Sequence, residues 1–478
     1  MRTLLAAVAA VAITGSLTAA TSAPDDDLWL ADHLAKTTSG QQALAHLRVF
    51  ERIADEDGGQ RATATPGFAA SARYVTEQLT AAGYRVKSQT VPYRQFVFDA
   101  ESGRETAPHA RTIRTLMLDG SPVTPKGGLT APLVLAPVKA DGTSGCTAAD
   151  YDGLPVRGAI VLTPRSSCGY ADQQKVIAGL GGLAMLMYLP VPDPENIYRL
   201  HVFTPSDFTI PSATISPAQA GQLSADAAQH PVTFHLELRG HVADKKTVNL
   251  FAETRGGSAD HIVMAGAHLD SVPEGPGIDD NASSVAALLA TAKRLAPFQN
   301  RVRDKVRFAF WGAEEQVDVG SDYYVEHLSS AERAAIDLYE NFELIASPNF
   351  ARFLIDGDVP EAPGSATVTK VFEQYFTRAG LPFVTEPVTG VGSDQAPFVT
   401  AGIAVGGMDM GTIGLKTPEE AAMFGGQAGQ QYDHCYHQTC DRVANLSLQA
   451  LDENVPAIAW TIGRFAMDTS DVRQAKAT

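Results

Sequence analysis

The stretch "AGAHLDSVPEGPGIDDNASS", residues 265–284, decides how the chain reads. It packs His268, Asp270, Asp279 and Asp280 among apolar or small residues, with glycine and proline separating the two acidic clusters. "HIVMAGAHLD" reads as a buried strand ending on the histidine, and "NASSVAALLATAKRLA" as a helix with the two aspartates at its start. Strand, tight turn and helix in that order belong to an α/β domain, in which ligands bind beyond the carboxyl ends of the strands.

Working outward, the same alternation recurs. "KVRFAFWGAEE" is a strand running into Glu314 and Glu315, "GSDYYVEHLS" starts a helix, and "IDLYENFELIA" leads into a strand that carries Glu343. Residues 41–55 and 67–82 have helical spacing, with Gly83 as a stop, and "YRVKSQTVPYRQFVFDA" alternates like a strand. The pattern predicts a mostly parallel mixed sheet flanked by helices, built from residues 24–109 and 241–470, with a tail at 471–478. Residues 110–240 read as a β-rich insert: "APLVLAPV", "GAIVLTPR" and "PVTFHLELRG" are strands, and "ADQQKVIAGLGG" followed by "LAMLMYLP" is a helix leading to a strand. The insert has no visible cluster of carboxylates and histidines.

A chain of 478 residues suggests two domains, and 45% hydrophobic with 19% charged residues describes a globular protein with a large core. The net charge of −17 argues against nucleic-acid binding through a basic face. Residues 1–23 read as a secretory signal peptide: Arg2, an apolar run, then small residues with Ala20 or Ala23 before the cut. No later apolar stretch is long enough to cross a bilayer, so a secreted protein without a membrane partner is expected. Export predicts that the four cysteines form two disulfides, Cys146 with Cys168 and Cys435 with Cys440, on sequence proximity. The alternative, a zinc–thiolate site, lacks a C-x-x-C pair.

The acids and histidines carry the chemistry. Asp270 lies two residues after His268, on the same side of an extended chain, where a carboxylate can orient a ligating imidazole. Asp279 and Asn281 read as helix caps, whereas for Asp280 a cap competes with a bridging role between two cations. Glu314 and Glu315, adjacent at the end of a buried strand, are costly unless positive charge lies close by. One could ligate and the other act as general base. Glu343 sits in an apolar strand, while His434 and His437 lie in or beside a six-residue cysteine loop that would hold His437 rigidly. Two histidines and three carboxylates at strand ends, oxygen mixed with imidazole, fit a two-zinc hydrolytic site. The helical H-E-x-x-H motif of single-zinc proteases is absent.

The ordered motifs "GAHLDSV…GPGIDDN", "FAFWGAEE", "NFELIASPN", "GSDQAPF" and "CYHQTCD" closely resemble the secreted zinc aminopeptidases of the M28 peptidase family, over residues 41–100 and 245–467. Residues 110–240 resemble an inserted protease-associated (PA) domain, best in "LPVRGAIVLTPRSSCGYADQQKVIAGLGGLAMLMY". The resemblance implies one zinc on His268 and Glu343, a second on Glu315 and His437, and Asp280 bridging both. It implies Glu314 as general base, Asp270 orienting His268, and Tyr436 steadying the developing oxyanion. Asp394 and Asp409 are the substrate-contact candidates, and the substrate is a peptide or protein with a free N-terminus. The insert is a candidate surface for contact with another protein.

Three departures stand out. Glu343 occupies a position that is often aspartate, Gly392 and Gln395 stand where relatives often have arginine and histidine, and Asp409 replaces an apolar or aromatic residue. If Asp409 faces the side-chain pocket, a basic N-terminal residue would be favoured. Competing readings on the same fold are a carboxypeptidase, a one-zinc glutaminyl cyclase, or a binding protein without catalysis. Sequons at Asn281 and Asn445 add little, since Asn281 adjoins an expected ligand.

Overall fold

The computed structural model describes residues 28–201, 208–388 and 392–476. The expected signal peptide, residues 1–23, and the last two residues of the tail lie outside them. One mixed sheet forms the main unit. Its strands run in the order Val384–Pro387, Phe353–Asp356, Ala404–Asp409, Ile336–Phe342, Ser258–His268, Asp304–Trp311 and Thr233–Glu253, and Arg85–Ala107 lies antiparallel on the last. The four central strands, Ala404–Asp409 to Asp304–Trp311, are mutually parallel.

Both faces of these strands are covered, which is why they read as nearly continuous apolar runs. Val263, Ala265, Ala267, Phe308 and Phe310 pack into a core with the helices Gly40–Glu56, Ser284–Leu295, Ser365–Ala379 and Leu448–Phe465. Ile262, Met264, Ala309 and Trp311 alternate with them and join Tyr324, Tyr339 and Phe398 on the opposite face.

The parallel arrangement brings the strand ends to one edge. Trp311 pairs with His268, and Phe342 pairs with Met408. His268, Glu314, Glu315, Glu343 and Asp409 therefore emerge at the same edge of the sheet, at strand ends or a few residues past them.

The helix expected to start at the aspartate pair begins later. Residues Ile278–Ser283 form a wide irregular turn with non-helical Asp280 and Asn281, joined by a cis peptide, and the regular helix is Ser284–Leu295. The reason lies in the side chains. Asp279 accepts hydrogen bonds from Ala346 N (3.0 Å) and Ser347 Oγ (3.1 Å), and Asn281 Nδ2 donates to Phe342 O at 2.8 Å. Both are committed to the Phe342–Ser347 segment instead of capping the helix.

The insert grows from the main sheet without a break. Arg85–Ala107 and Thr233–Glu253 pair from Arg85–Glu253 to Ala107–Thr233, so the boundary expected at 240/241 falls inside one strand. Leu129–Leu135 adds antiparallel to Thr233–Glu253, followed by the parallel strands Ile160–Pro164, Ala184–Tyr188 and Ser212–Thr214. Helices Tyr170–Gly179 and Pro217–Ala227 accompany them. Leu133, Ile160, Leu162, Leu186, Phe234 and Leu236 fill a separate core. The disulfides are Cys146–Cys168 in the insert and Cys435–Cys440 in the main unit. Among the described residues no helix is long and apolar enough to cross a membrane.

One buried acid makes stability depend on pH. Glu340, on Ile336–Phe342, is fully buried, and burial pushes its carboxyl from 4.5 to about 8. Between those values the folded chain keeps a proton that the unfolded chain has released, so this group's contribution to stability falls as pH rises. Urea unfolding at pH 5 and pH 8 is expected to show a smaller pH difference for Glu340→Gln than for the wild type, with the variant gaining most at pH 8.

Candidate metal centre

Local backbone strain marks the edge where the acids gather. Ala313, Val317, Asp318, Leu344 and His437 all have positive φ, between 41° and 66°. These are sparsely populated conformations for residues other than glycine, and they cluster where surrounding structure holds them for function. Ala313 turns the chain so that Glu314 and Glu315 follow at once. Leu344 comes directly after Glu343, and His437 sits inside the Cys435–Cys440 loop.

Asp280 is the geometric centre. Its Oδ1 lies 3.2 Å from His268 Nε2 and its Oδ2 3.0 Å from His437 Nε2. Glu343 Oε2 is 3.4 Å from His268 Nε2, and Glu315 Oε2 is 3.2 Å from His437 Nε2. The donors thus form two groups that share one carboxylate, His268 with Glu343 and His437 with Glu315. Glu314 Oε2 stands 3.6 Å from His268 Nε2. His437 Nε2 and Glu315 Oε1 are buried yet make no hydrogen bond to any described residue. Close oxygen and nitrogen donors without hydrogen-bond geometry suit divalent cations held between them. A third group, His434 with Cys435 and Cys440, is no thiolate site, because both sulfurs are in the disulfide.

The supporting contacts refine the sequence reading. His268 Nδ1 lies 3.1 Å from the main-chain carbonyl of Asp270, to which it can donate, leaving Nε2 to face the donor cluster. The Asp270 carboxylate, expected to orient that ring, is 3.8 Å from it and accepts instead from the N–H groups of Glu314 (3.2 Å) and Glu315 (3.3 Å). The turn at 312–315 brings those two amides to Asp270, so its carboxylate positions the glutamate pair. Ser393 Oγ donates to Glu343 Oε1. Asp394 does not line the cavity beside the site; its buried carboxylate accepts from Ser321 Oγ at 2.6 Å. Gln395 is also buried and accepts from Asn341 Nδ2 at 2.9 Å. Tyr436 stacks on His437, with ring centroids 3.8 Å apart, and lines the cavity.

Two supports were not legible beforehand. Arg61, fully buried, donates to the carbonyls of Leu269, Pro276 and Gly277 and ties down the loop between His268 and Asp280. Asp441 accepts from the N–H of Asp279 (2.7 Å) and of Asp280 (3.2 Å). A lone arginine between two helices and an aspartate after a cysteine carry no local pattern, so only the fold brings them here.

Electrostatics show what the cluster lacks. Burial pushes Glu314 well above the usual carboxyl range, with Asp318, Glu343 and Glu315 adding to the effect and His268 opposing it. Burial likewise raises Asp270 to about 6 and Asp318 to about 7. Burial works against charge on the two rings, but Glu315 and Asp280 outweigh it and raise His437 to about 10, and Glu314 and Glu343 raise His268. Within the protein alone, protons on the imidazoles hold the carboxylates together. Divalent cations would meet the same demand and leave both imidazoles neutral as ligands.

The insert reaches this edge. Arg199 pairs with Glu101 and Glu274, each at 2.7 Å, and lies over the Phe98 ring. Asn196 Nδ2 donates to His434 O (2.6 Å), Gln431 Nε2 to Tyr198 Oη (2.9 Å) and Gln438 Nε2 to Ile197 O (3.0 Å). Two cavities flank the donors. One of about 410 Å3 is lined by His268, Asp280, Glu314, Glu343, Tyr436 and Asp409 among others. The second, of about 230 Å3, has Glu315 and His437 in its wall together with Phe98 and Arg199.

Comparison with known proteins gives this site its family. The profile described as Peptidase family M28 matches residues 249–462, and the PA domain profile matches residues 129–223. The probable lipoprotein aminopeptidase LpqL of Mycobacterium tuberculosis is 38% identical over 447 residues, covering 91% of this chain and 86% of its own. The chain belongs to peptidase family M28. An aminopeptidase of Pseudomonas aeruginosa is 35% identical over 92% of this chain and 83% of its own. The zinc aminopeptidase of Bacillus subtilis shares the fold, with a TM-score of 0.69 at 21% identity, over 89% of this chain and 94% of that one. By family this M28 peptidase is a metallo-aminopeptidase with an inserted PA domain.

Arg61→Met would take a donor from the carbonyls of Leu269, Pro276 and Gly277 and remove a buried positive charge from among Asp441, Asp270, Asp280 and Glu315. Chemical denaturation is expected to show a loss of about 3–5 kcal/mol.

Proposed function

We propose that this M28 peptidase is a secreted aminopeptidase that uses two zinc ions to release the N-terminal residue of peptides and proteins. The observation that carries the reading is Asp280, with one imidazole at each carboxylate oxygen, 3.2 Å and 3.0 Å away. His268, Glu343 and Asp280 would hold one zinc, and His437, Glu315 and Asp280 the other. Bound zinc supplies Lewis acidity toward the scissile carbonyl and makes water a stronger acid.

The chain's own residues supply the rest. Glu314 lines the cavity, and burial raises its proton affinity. That suits it to take a proton from the attacking water and pass it to the leaving amine. Asp270 keeps Glu314 and Glu315 in place through their N–H groups. Tyr436, stacked on His437 and lining the cavity, would donate to the oxygen that gains charge as the carbonyl is attacked. The free α-amino group would rest against Glu343.

Among the described residues no lysine or arginine lines the 410 Å3 cavity. It therefore offers no ion pair to a substrate carboxylate, which favours an aminopeptidase over a carboxypeptidase. The N-terminal signal pattern and the two disulfides support export to an oxidising compartment.

Metal analysis of the purified protein is expected to find two zinc ions per chain, and chelation should abolish cleavage of aminoacyl anilides until zinc is restored. N-acetylated substrates should not be cleaved. Glu314→Gln should keep its zinc and lose about 10²–10⁴-fold in kcat. A zinc-loaded wild type that cleaves blocked and free substrates alike would refute the assignment.

A further inference from the structure

We propose that the 410 Å3 cavity beside the metal centre accepts a basic N-terminal side chain, lysine or arginine, whose charged head meets Asp409 and Glu386; this rests on the aminopeptidase reading above.

The cavity is continuous with the donor groups, so a substrate whose first carbonyl lies at the metals would place its first side chain there. Its wall combines two surfaces. Leu344, Phe353 and Tyr432 supply apolar and aromatic area for an alkyl stem. Asp409 and Glu386 supply carboxyl groups that a cation can pair with. Their placement follows from the fold: Asp409 ends the strand Ala404–Asp409 and pairs with Phe353, while Glu386 lies on Val384–Pro387, the neighbour of Phe353–Asp356.

Asp409 is only 6% exposed, and one of its oxygens accepts from the N–H of Gly411. The other accepts no hydrogen bond from the described residues. A buried carboxyl half-satisfied in this way is costly without a partner, and burial raises its pKa to about 8. Among the described residues lining the cavity there is no lysine or arginine to fill the role. An ammonium or guanidinium entering the cavity would supply the missing donor. A leucine side chain would fill the same space and leave the Asp409 oxygen dry and unpaired, which a site built for a polar head rejects strongly.

The test compares kcat/KM of the zinc-loaded full chain for lysyl, arginyl, leucyl and norleucyl p-nitroanilides. Norleucine keeps the stem of lysine and lacks its charge. The wild type is expected to favour lysyl over norleucyl by about tenfold or more. In Asp409→Asn, which keeps an oxygen for Gly411 N–H, the lysyl-to-norleucyl ratio should collapse by a similar factor, chiefly through KM. Glu386→Gln should reduce the ratio less. Wild-type preference for leucyl or norleucyl, or an Asp409→Asn ratio equal to the wild type, overturns the proposal. So does an equal loss on all substrates, which would assign Asp409 to the α-amino group. Cleavage of leucyl but not lysyl substrates would defeat the basic pocket and leave the aminopeptidase reading intact. No cleavage of any anilide by zinc-loaded protein would defeat both.

Discussion

The structure depends on one electrostatic constraint. Asp280, Glu314, Glu315 and Glu343 converge on two imidazoles at the edge of a sheet that is buried on both faces. Without positive charge they repel one another, and burial together with Asp318, Glu343 and Glu315 pushes the Glu314 carboxyl toward its neutral form. Two cations would remove the repulsion and leave the imidazoles free to ligate. The adjacent Asp279 spends its carboxylate differently, on the amide of Ala346 and the hydroxyl of Ser347, and burial beside Asp433 and Asp441 still raises its pKa. Two neighbouring aspartates thus have opposite fates: one is structural and the other is the shared donor.

The fold prepares this meeting by direction before detail. Parallel strands deliver His268, the Glu314–Glu315 turn, Glu343 and Asp409 to one edge. The final placement comes from backbone conformations that cost energy, at Ala313, Leu344 and His437. Side chains from distant segments hold these conformations: Asp270 on the glutamate pair, Asn281 on the Glu343 segment, and Arg61 on the loop that leads to Asp280.

Much of this was legible because apolar periodicity and chemistry coincide at strand ends. "HIVMAGAH" and "KVRFAFW" alternate in burial as parallel strands do, and each is followed at once by the functional residues. What escaped the sequence was long-range. Nothing near residue 61 says that its arginine will be swallowed by a loop more than two hundred residues away. The helix start was placed too early because an aspartate before a helix ordinarily caps it, and here Asp279 finds better partners across the chain. Asp270 was read toward the nearest ring, whereas its carboxylate serves amides reached only after the chain returns through the Asp304–Trp311 strand. Glu386, on a short strand without a motif, offered no signal. The insert boundary was drawn inside a strand because the apolar alternation ending at Leu238 lapses over residues 239–246, although strand pairing continues through them.

The strap formed by residues 196–199 carries a consequence of its own. It grips the Glu274 loop and the loop that bears Tyr436 and His437, which come from opposite ends of the main unit's sequence. The packing of the hydrolytic edge is thereby tied to that of the insert. A chain in which this middle section has not folded lacks these braces on both loops.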